Sequence, residues 1–201
     1  MSWVVKLGGS LARDPLLPSW LGIIAAHGGG RVAVIPGGGP FADAARAAQA
    51  VWPLDDVAAH NMAVLGMAQF GQLLHGLCPA LVLARSVPEI RTALAAGRAA
   101  IWQPFELLRD EADALTSWDV TSDSLALWLG GRLDAGRVIL VKSCSLPASA
   151  DWDALSAAGI VDRRFPALAR ETRGRITLLE RGGAETLRAA LCGEHGHDEL
   201  S

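Results

Sequence analysis

Apolar residues along the chain fall into short β-rich runs separated by longer stretches in which they recur at helical spacing. The runs Val4-Val5-Lys6-Leu7, Arg31 to Ile35, Ala80 to Leu83, Ala99 to Trp102, Arg137 to Lys142 and Arg175 to Leu179 predict strands. Between them the pattern predicts helices from Asp14 to about His27, Phe41 to about Val51, Val57 to Leu77, Pro88 to Ala96, Asp123 to Leu133, Asp151 to Ala158 and Ala184 to Cys192. Asp14-Pro15 starts the first helix and Gly28-Gly29-Gly30 ends it, while Pro53 with Asp55 and Asp56 starts the third. Pro104 to Asp113 reads as helix or irregular chain, Thr116 to Ser122 and Ser143 to Ala150 read as loops, and Gly159 to Phe165 is ambiguous. Strands alternating with helices predict an α/β fold, with a mostly parallel sheet covered on both faces by right-handed crossovers.

Two strands end in glycine. Val4-Val5-Lys6-Leu7 runs into Gly8-Gly9-Ser10, and the next strand runs into Pro36-Gly37-Gly38-Gly39-Pro40. Adjacent parallel strands ending this way form one cleft at the sheet edge where open α/β folds bind ligands. A strand-end lysine beside bare backbone suits a phosphate, and the Gly8-Gly9-Ser10 amides are expected to open a helix whose N-terminus also favours an anion. Lys6 as a snorkelling surface residue and Gly37 to Gly39 as an ordinary tight turn are the competing readings.

Composition narrows the class. A chain of 201 residues that is 51% hydrophobic and 19% charged fits a single compact domain, with no linker or repeat to divide it. A net charge of −3 without a basic cluster argues against nucleic acid, and no apolar run reaches the length of a membrane span. The expectation is a cytoplasmic protein with a small anionic ligand. Cys78, Cys144 and Cys192 form neither a Cys-x-x-Cys pair nor a disulfide framework. His195 and His197 read as a polar tail, with weak metal binding as the alternative. Lysine occurs only at positions 6 and 142, against sixteen arginines. GC-rich codon usage explains the arginines; lysines retained at two strand ends mark places where a compact ammonium is needed.

Thr121-Ser122-Asp123 reads as a helix start, with a hydroxyl cap and a first-turn acid. The same carboxylate could also hold phosphate-binding ammonium groups in place. Asp43 and Arg46, three apart after the second glycine loop, could reach a polar acceptor or form a solvated pair. His60 reads equally as an acceptor ligand or a half-buried core residue, whereas Met62, Leu65, Met67 and Phe70 read as core. No Gly-Lys-Ser/Thr and no G-x-G-x-x-G is present, which excludes a P-loop protein and makes a dinucleotide enzyme an unsuitable reading.

Taken in order, Val4-Val5-Lys6-Leu7-Gly8-Gly9-Ser10, Pro36-Gly37-Gly38-Gly39, Thr121-Ser122-Asp123 and Leu140-Val141-Lys142 resemble the motifs of the amino acid kinase superfamily, which includes acetylglutamate, aspartate, uridylate, carbamate and isopentenyl phosphate kinases. The resemblance runs from Trp3 to about Phe165. Pro40-Phe41-Ala42-Asp43, His60-Asn61-Met62-Ala63 and Trp118 to Ser124 resemble most the small branch linked to methanofuran biosynthesis, whose kinases act on (5-(aminomethyl)furan-3-yl)methyl phosphate in methanogens and methylotrophs.

The resemblance implies a three-layer αβα sandwich with an acceptor-binding half, residues 1–100, and a shortened nucleotide-binding half, residues 101–201. It implies ATP with Mg²⁺, and an oligomer of identical chains is expected from long apolar helices such as Val57 to Leu77. Lys6 would contact the transferred phosphoryl group and Asp123 would orient Lys6; Gly8, Gly9, Ser10, Thr121, Ser122, Lys142 and, by analogy, Asp162 would lie on the nucleotide side, although Asp162 by itself reads as a loop acid. Gly37, Gly38 and Gly39 would face the acceptor, with Asp43, Arg46 and His60 as further candidates. Where relatives continue with an Asp-Gly turn, Ser143-Cys144-Ser145-Leu146-Pro147 stands here. The implied activity is an ATP-dependent kinase for a small phosphorylated or carboxylated acceptor. A uridylate-type or isopentenyl-phosphate-type kinase and a non-catalytic anion-binding protein on the same fold are the alternatives.

Overall fold

The computed structural model describes residues 1–193, so His195 and His197 lie outside the described residues. Six strands, β1 (Trp3–Leu7), β2 (Val32–Pro36), β3 (Val82–Ala84), β4 (Ala100–Trp102), β5 (Arg137–Lys142) and β6 (Arg175–Glu180), form one sheet in the order β3-β4-β2-β1-β5-β6. Every pairing is parallel. The helices are α1 (Leu17–His27), α2 (Gly39–Val51), α3 (Asp56–Leu77), α4 (Val87–Ala95), α5 (Ser122–Leu133), α6 (Trp152–Ala157), α7 (Phe165–Glu171) and α8 (Ala184–Cys192).

Successive strand residues face opposite sides of the sheet, so an apolar run serves two cores at once. On one side Val4, Ile35, Val138 and Leu140 pack with Leu125 and Leu129 of α5, Ile90 of α4 and Phe165 of α7. On the other, Val5, Leu7, Val34 and Ile139 pack with Trp20 and Ile24 of α1, Phe70 and Leu74 of α3 and Leu187 of α8. The result is the three-layer αβα arrangement. Lys6 stands on the first side, two residues after Val4, as a charge among apolar neighbours.

The two glycine turns meet backbone to backbone. A methyl built on Gly9 would stand 2.0 Å from the amide nitrogen of Gly39, and one on Gly37 would stand 2.2 Å from that of Gly9. Gly39 also has φ +55°, a conformation that side chains strain to adopt. Gly9→Ala is therefore expected to lower stability by about 2 kcal/mol or more, because backbone cannot yield as a flexible side chain does. Urea unfolding checks this; a wild-type midpoint would mean that the turns part without cost.

Several expectations need correction. Gly8-Gly9-Ser10 opens no α-helix: Gly9–Arg13 is one five-residue 3₁₀ turn, and the first α-helix starts only at Leu17. Pro104 to Asp113 takes the irregular one of its two expected forms, apart from the 3₁₀ turn Phe105–Leu107. Met67 and Phe70 are buried as expected, but Met62 and Leu65 are 37% and 43% exposed. Helix α7 has no counterpart in the predicted elements. It is two turns long, and its first amide, on Phe165, donates to the side chain of Asp162 at 2.9 Å.

Candidate active site

Strands β1 and β5 are neighbours, and Lys6 lies opposite Leu140. Lys142 is two residues further along β5, so both lysines rise from the same side of the sheet. Helix α5 covers that side. Thr121 caps its N-terminus, the hydroxyl accepting from the Asp123 amide at 3.4 Å, which places Asp123 in the first turn above the lysines. Asp123 Oδ1 is 2.8 Å from Lys6 Nζ, and Lys142 Nζ donates to Oδ2 at 2.8 Å. The three side chains are only 7%, 11% and 7% exposed for Lys6, Lys142 and Asp123.

Burial alone would raise the Asp123 carboxyl, but the two ammonium groups outweigh it and hold the group below its ordinary value. The helix N-terminus acts in the same sense. At Lys142, burial lowers the ammonium, repulsion from Lys6 adds to it, and the attraction of Asp123 offsets only part. Two ammonium groups sharing one carboxylate leave a formal unit of positive charge in a nearly dry place. Such a site is built for an anion.

Two adjoining cavities lie nearby, and of the two only the larger is lined by members of the cluster. One, of about 600 Å³, is lined by Gly9, Ser10, Gly38, Gly39, Asp43, Arg46, His60, Thr121 and Ser122 among others. The other, of about 1070 Å³, is lined by Thr121, Asp123, Lys142 and Asp162, with α6, α7 and the turn between them. Most of the candidate residues thus come together at two adjoining spaces. Lys6, Gly8 and Gly37 line neither: the Lys6 ammonium is held by Asp123 and lies 3.3 Å from a methyl built on Gly8, and Gly37 backs onto Gly9.

Three candidates have partners that define what they do locally. Asp162 accepts five hydrogen bonds, from the amide and hydroxyl of Thr121 at 2.8 Å each, the amide and hydroxyl of Ser124 at 3.0 and 2.5 Å, and the Phe165 amide. Its carboxylate ties the start of α5 to the start of α7 and so fixes Asp123 indirectly. His60 is half-buried and its Nε2 donates to the Leu107 carbonyl at 2.8 Å, while the residue also borders the smaller cavity. Arg46 pairs with Asp43 at 2.9 Å and lies 4.4 Å from the centroid of Trp118.

Residues given no site role from the sequence also line the smaller cavity: Arg13, Val64, Leu115, Trp118 and Met67, the last read as core. Arg13 follows the first glycine turn and Trp118 belongs to the segment leading into α5, the two signals that were available. Asn61, next to His60 on α3, supports the framework instead. Its side chain exchanges two hydrogen bonds with the backbone of Arg109, at 2.8 and 2.9 Å.

The model of the amino acid kinase family matches residues 1–145. The chain belongs to the amino acid kinase family. Membership makes it a kinase, and ATP is the phosphoryl donor that this family implies. A [5-(aminomethyl)furan-3-yl]methyl phosphate kinase from Methanocaldococcus jannaschii is 26% identical over 204 residues, covering 96% of this chain and 94% of that one. Among solved structures, uridylate kinase from Archaeoglobus fulgidus superposes with a TM-score of 0.70 at 15% identity, covering 96% of both chains. An isopentenyl phosphate kinase does so with a TM-score of 0.60 at 16% identity, covering 97% of this chain and 98% of that one. The two solved structures share the fold with this chain. No helix among the described residues is long and apolar enough to cross a membrane.

Proposed function

We propose that this amino acid kinase transfers the γ-phosphoryl group of ATP to a small phosphate monoester, [5-(aminomethyl)furan-3-yl]methyl phosphate, in methanofuran-type cofactor biosynthesis. The observation that carries the reading is the buried Lys6–Asp123–Lys142 cluster, whose Asp123 and Lys142 border the larger cavity, sized for a nucleotide, while the smaller cavity, which shares Trp118 and Thr121 with it, is sized for a small acceptor. The smaller cavity is the acceptor side. Its wall combines bare glycine backbone with Arg13 and Arg46 for phosphate, Asp43 for an amine, and Val64, Met67 and Leu115 for the apolar body of a ring. The 26% identity to the kinase named for that substrate, along nearly the whole of both chains, supports the same choice.

Phosphoryl transfer has a loose, charge-rich transition state, and positioning with electrostatics does most of its catalysis. Lys6 holds the migrating group from the side of β1, Gly8, Gly9 and Ser10 approach it with backbone, and Lys142 holds the donor phosphates. Asp123 keeps the two ammonium groups 2.8 Å from its oxygens instead of letting them repel each other apart. A phosphate-monoester acceptor is already an anion, so no general base is needed. Among the described residues no group of three or more acids, histidines and cysteines is placed to hold a metal ion, so Mg²⁺ would arrive on the nucleotide and neutralise its phosphate charge.

The same reading places the protein in the cytoplasm as an oligomer of identical chains. Val51 and Trp52 at the end of α2, 71% and 64% exposed, with Met62 and Leu65 on α3, are apolar groups that a second copy would cover. An acceptor panel tests the function. ADP formation in the presence of Mg²⁺ is expected to be fastest with the aminomethylfuran phosphate and at least about tenfold slower with UMP or isopentenyl phosphate. ADP formation no faster than background with every phosphate monoester and carboxylate offered would end the proposal.

A further inference from the structure

The two cavities share a wall, and among the described residues only Trp118 and Thr121 line both of them. Thr121 has given its amide and its hydroxyl to Asp162. That leaves the half-buried indole of Trp118 as the side chain that sets how far one space opens into the other. The ring is held from the acceptor side: its Nε1 donates to Gln49 Oε1 of α2 at 2.6 Å, and the Arg46 guanidinium lies 4.4 Å from its centroid. The chain beside it is held from the donor side, where the Asp119 carbonyl accepts from the Arg164 amide at 3.0 Å. A large flat group is thus held from the acceptor side, on a stretch of chain that is anchored to the donor side.

We infer that Trp118 is a positioning residue that partitions the cavities, keeping bulk water out of the line along which the phosphoryl group moves. This rests on the kinase reading above. In transfer, the bond from the γ-phosphorus to the bridging oxygen of ADP breaks as an acceptor oxygen bonds to that phosphorus. In the wasteful alternative a water oxygen forms the new bond, ADP and inorganic phosphate leave, and the proton of water passes to solvent. Lys6, Lys142 and Asp123 serve both reactions equally, so they cannot choose between them. Which oxygen reaches the phosphorus depends on what fills the space around it, and that is where the indole stands.

The test measures ADP and phosphorylated acceptor separately, using the full chain with Mg²⁺-ATP and the aminomethylfuran phosphate. The unaltered enzyme is expected to form one ADP per phosphorylated acceptor, whereas Trp118→Ala should form about three or more ADP per product, with the excess appearing as inorganic phosphate. Trp118→Phe, which keeps a flat ring, should restore the ratio most of the way. If the alanine variant does not fold, Gln49→Met decides: it leaves the ring in place without its hydrogen bond and should raise the ratio by roughly half. A ratio of one in a folded Trp118→Ala, or in Gln49→Met when the alanine variant is lost, overturns the partition and leaves the proposed function standing. An unaltered enzyme that forms no ADP with any acceptor overturns both.

Discussion

Asp123→Asn is expected to cut turnover by about a thousandfold or more and to lower stability by about 3 kcal/mol or more. The carboxylate is the shared counterion of two buried ammonium groups, each 2.8 Å away. An amide of the same shape keeps the volume but removes the charge, so Lys6 and Lys142 face each other uncompensated, and removing one partner from a buried ionic group is the expensive kind of change. The variant should also differ in acid. The folded Asp123 carboxyl lies below its ordinary value, so the unfolded chain binds the extra proton first as pH falls. Its contribution to stability is complete above about pH 4 and is lost as pH drops toward the folded value. The acid limb of the stability curve should therefore be shallower in Asp123→Asn than in the unaltered protein. Urea midpoints across pH 3 to 7 measure both effects; a midpoint within experimental error of wild type at pH 7 would contradict the account.

Lys6→Met should be as severe for turnover, by about a thousandfold, and much milder for stability. Asp123 still has Lys142 at 2.8 Å in that variant, and one ammonium with one carboxylate is a neutral pair. Lys6→Arg should not rescue, because a planar guanidinium cannot occupy a space walled by Gly8, where the ammonium already lies 3.3 Å from the position of an added methyl. Steady-state kinetics alongside unfolding separates the two substitutions: loss of activity with near-normal stability for Lys6→Met, and loss of both for Asp123→Asn. Turnover of Lys6→Met within tenfold of wild type would remove Lys6 from the chemistry.

Much of the frame was legible in the residues. Strand β5 and helix α8 have the limits the pattern predicts, because an uninterrupted aliphatic run and an amphipathic stretch each carry their period locally. The scarcity of lysine pointed to positions 6 and 142, which the parallel pairing of β1 and β5 then brings to one carboxylate. What was not legible depends on partners remote in the chain. Helix α7 is capped locally, the Phe165 amide donating to Asp162 three residues earlier, but that acid is set in place by residues far away in the chain. Asp162 itself reads as a loop acid until Thr121 and Ser124, about forty residues earlier, are seen to converge on it. Trp118 falls in a segment that reads as a loop, and its partners, Gln49 and Arg46, lie on another helix. Met62 and Leu65 share the apolar character of Met67 and Phe70, and only packing decides which side of α3 turns inward.

The crossing of the two glycine turns has a consequence for how such an enzyme can change. Where a single methyl would collide with main chain at 2.0 or 2.2 Å, mutation has almost no room to explore, so that side of the pocket is frozen for steric reasons alone. On the function proposed above, new acceptors would be accommodated from the opposite bank, by altering side chains on α2 and α3 such as Asp43, Arg46, His60 and Met67. The architecture would then separate a rigid phosphate grip from an adjustable specificity surface, so that one core could be redirected to chemically different acceptors.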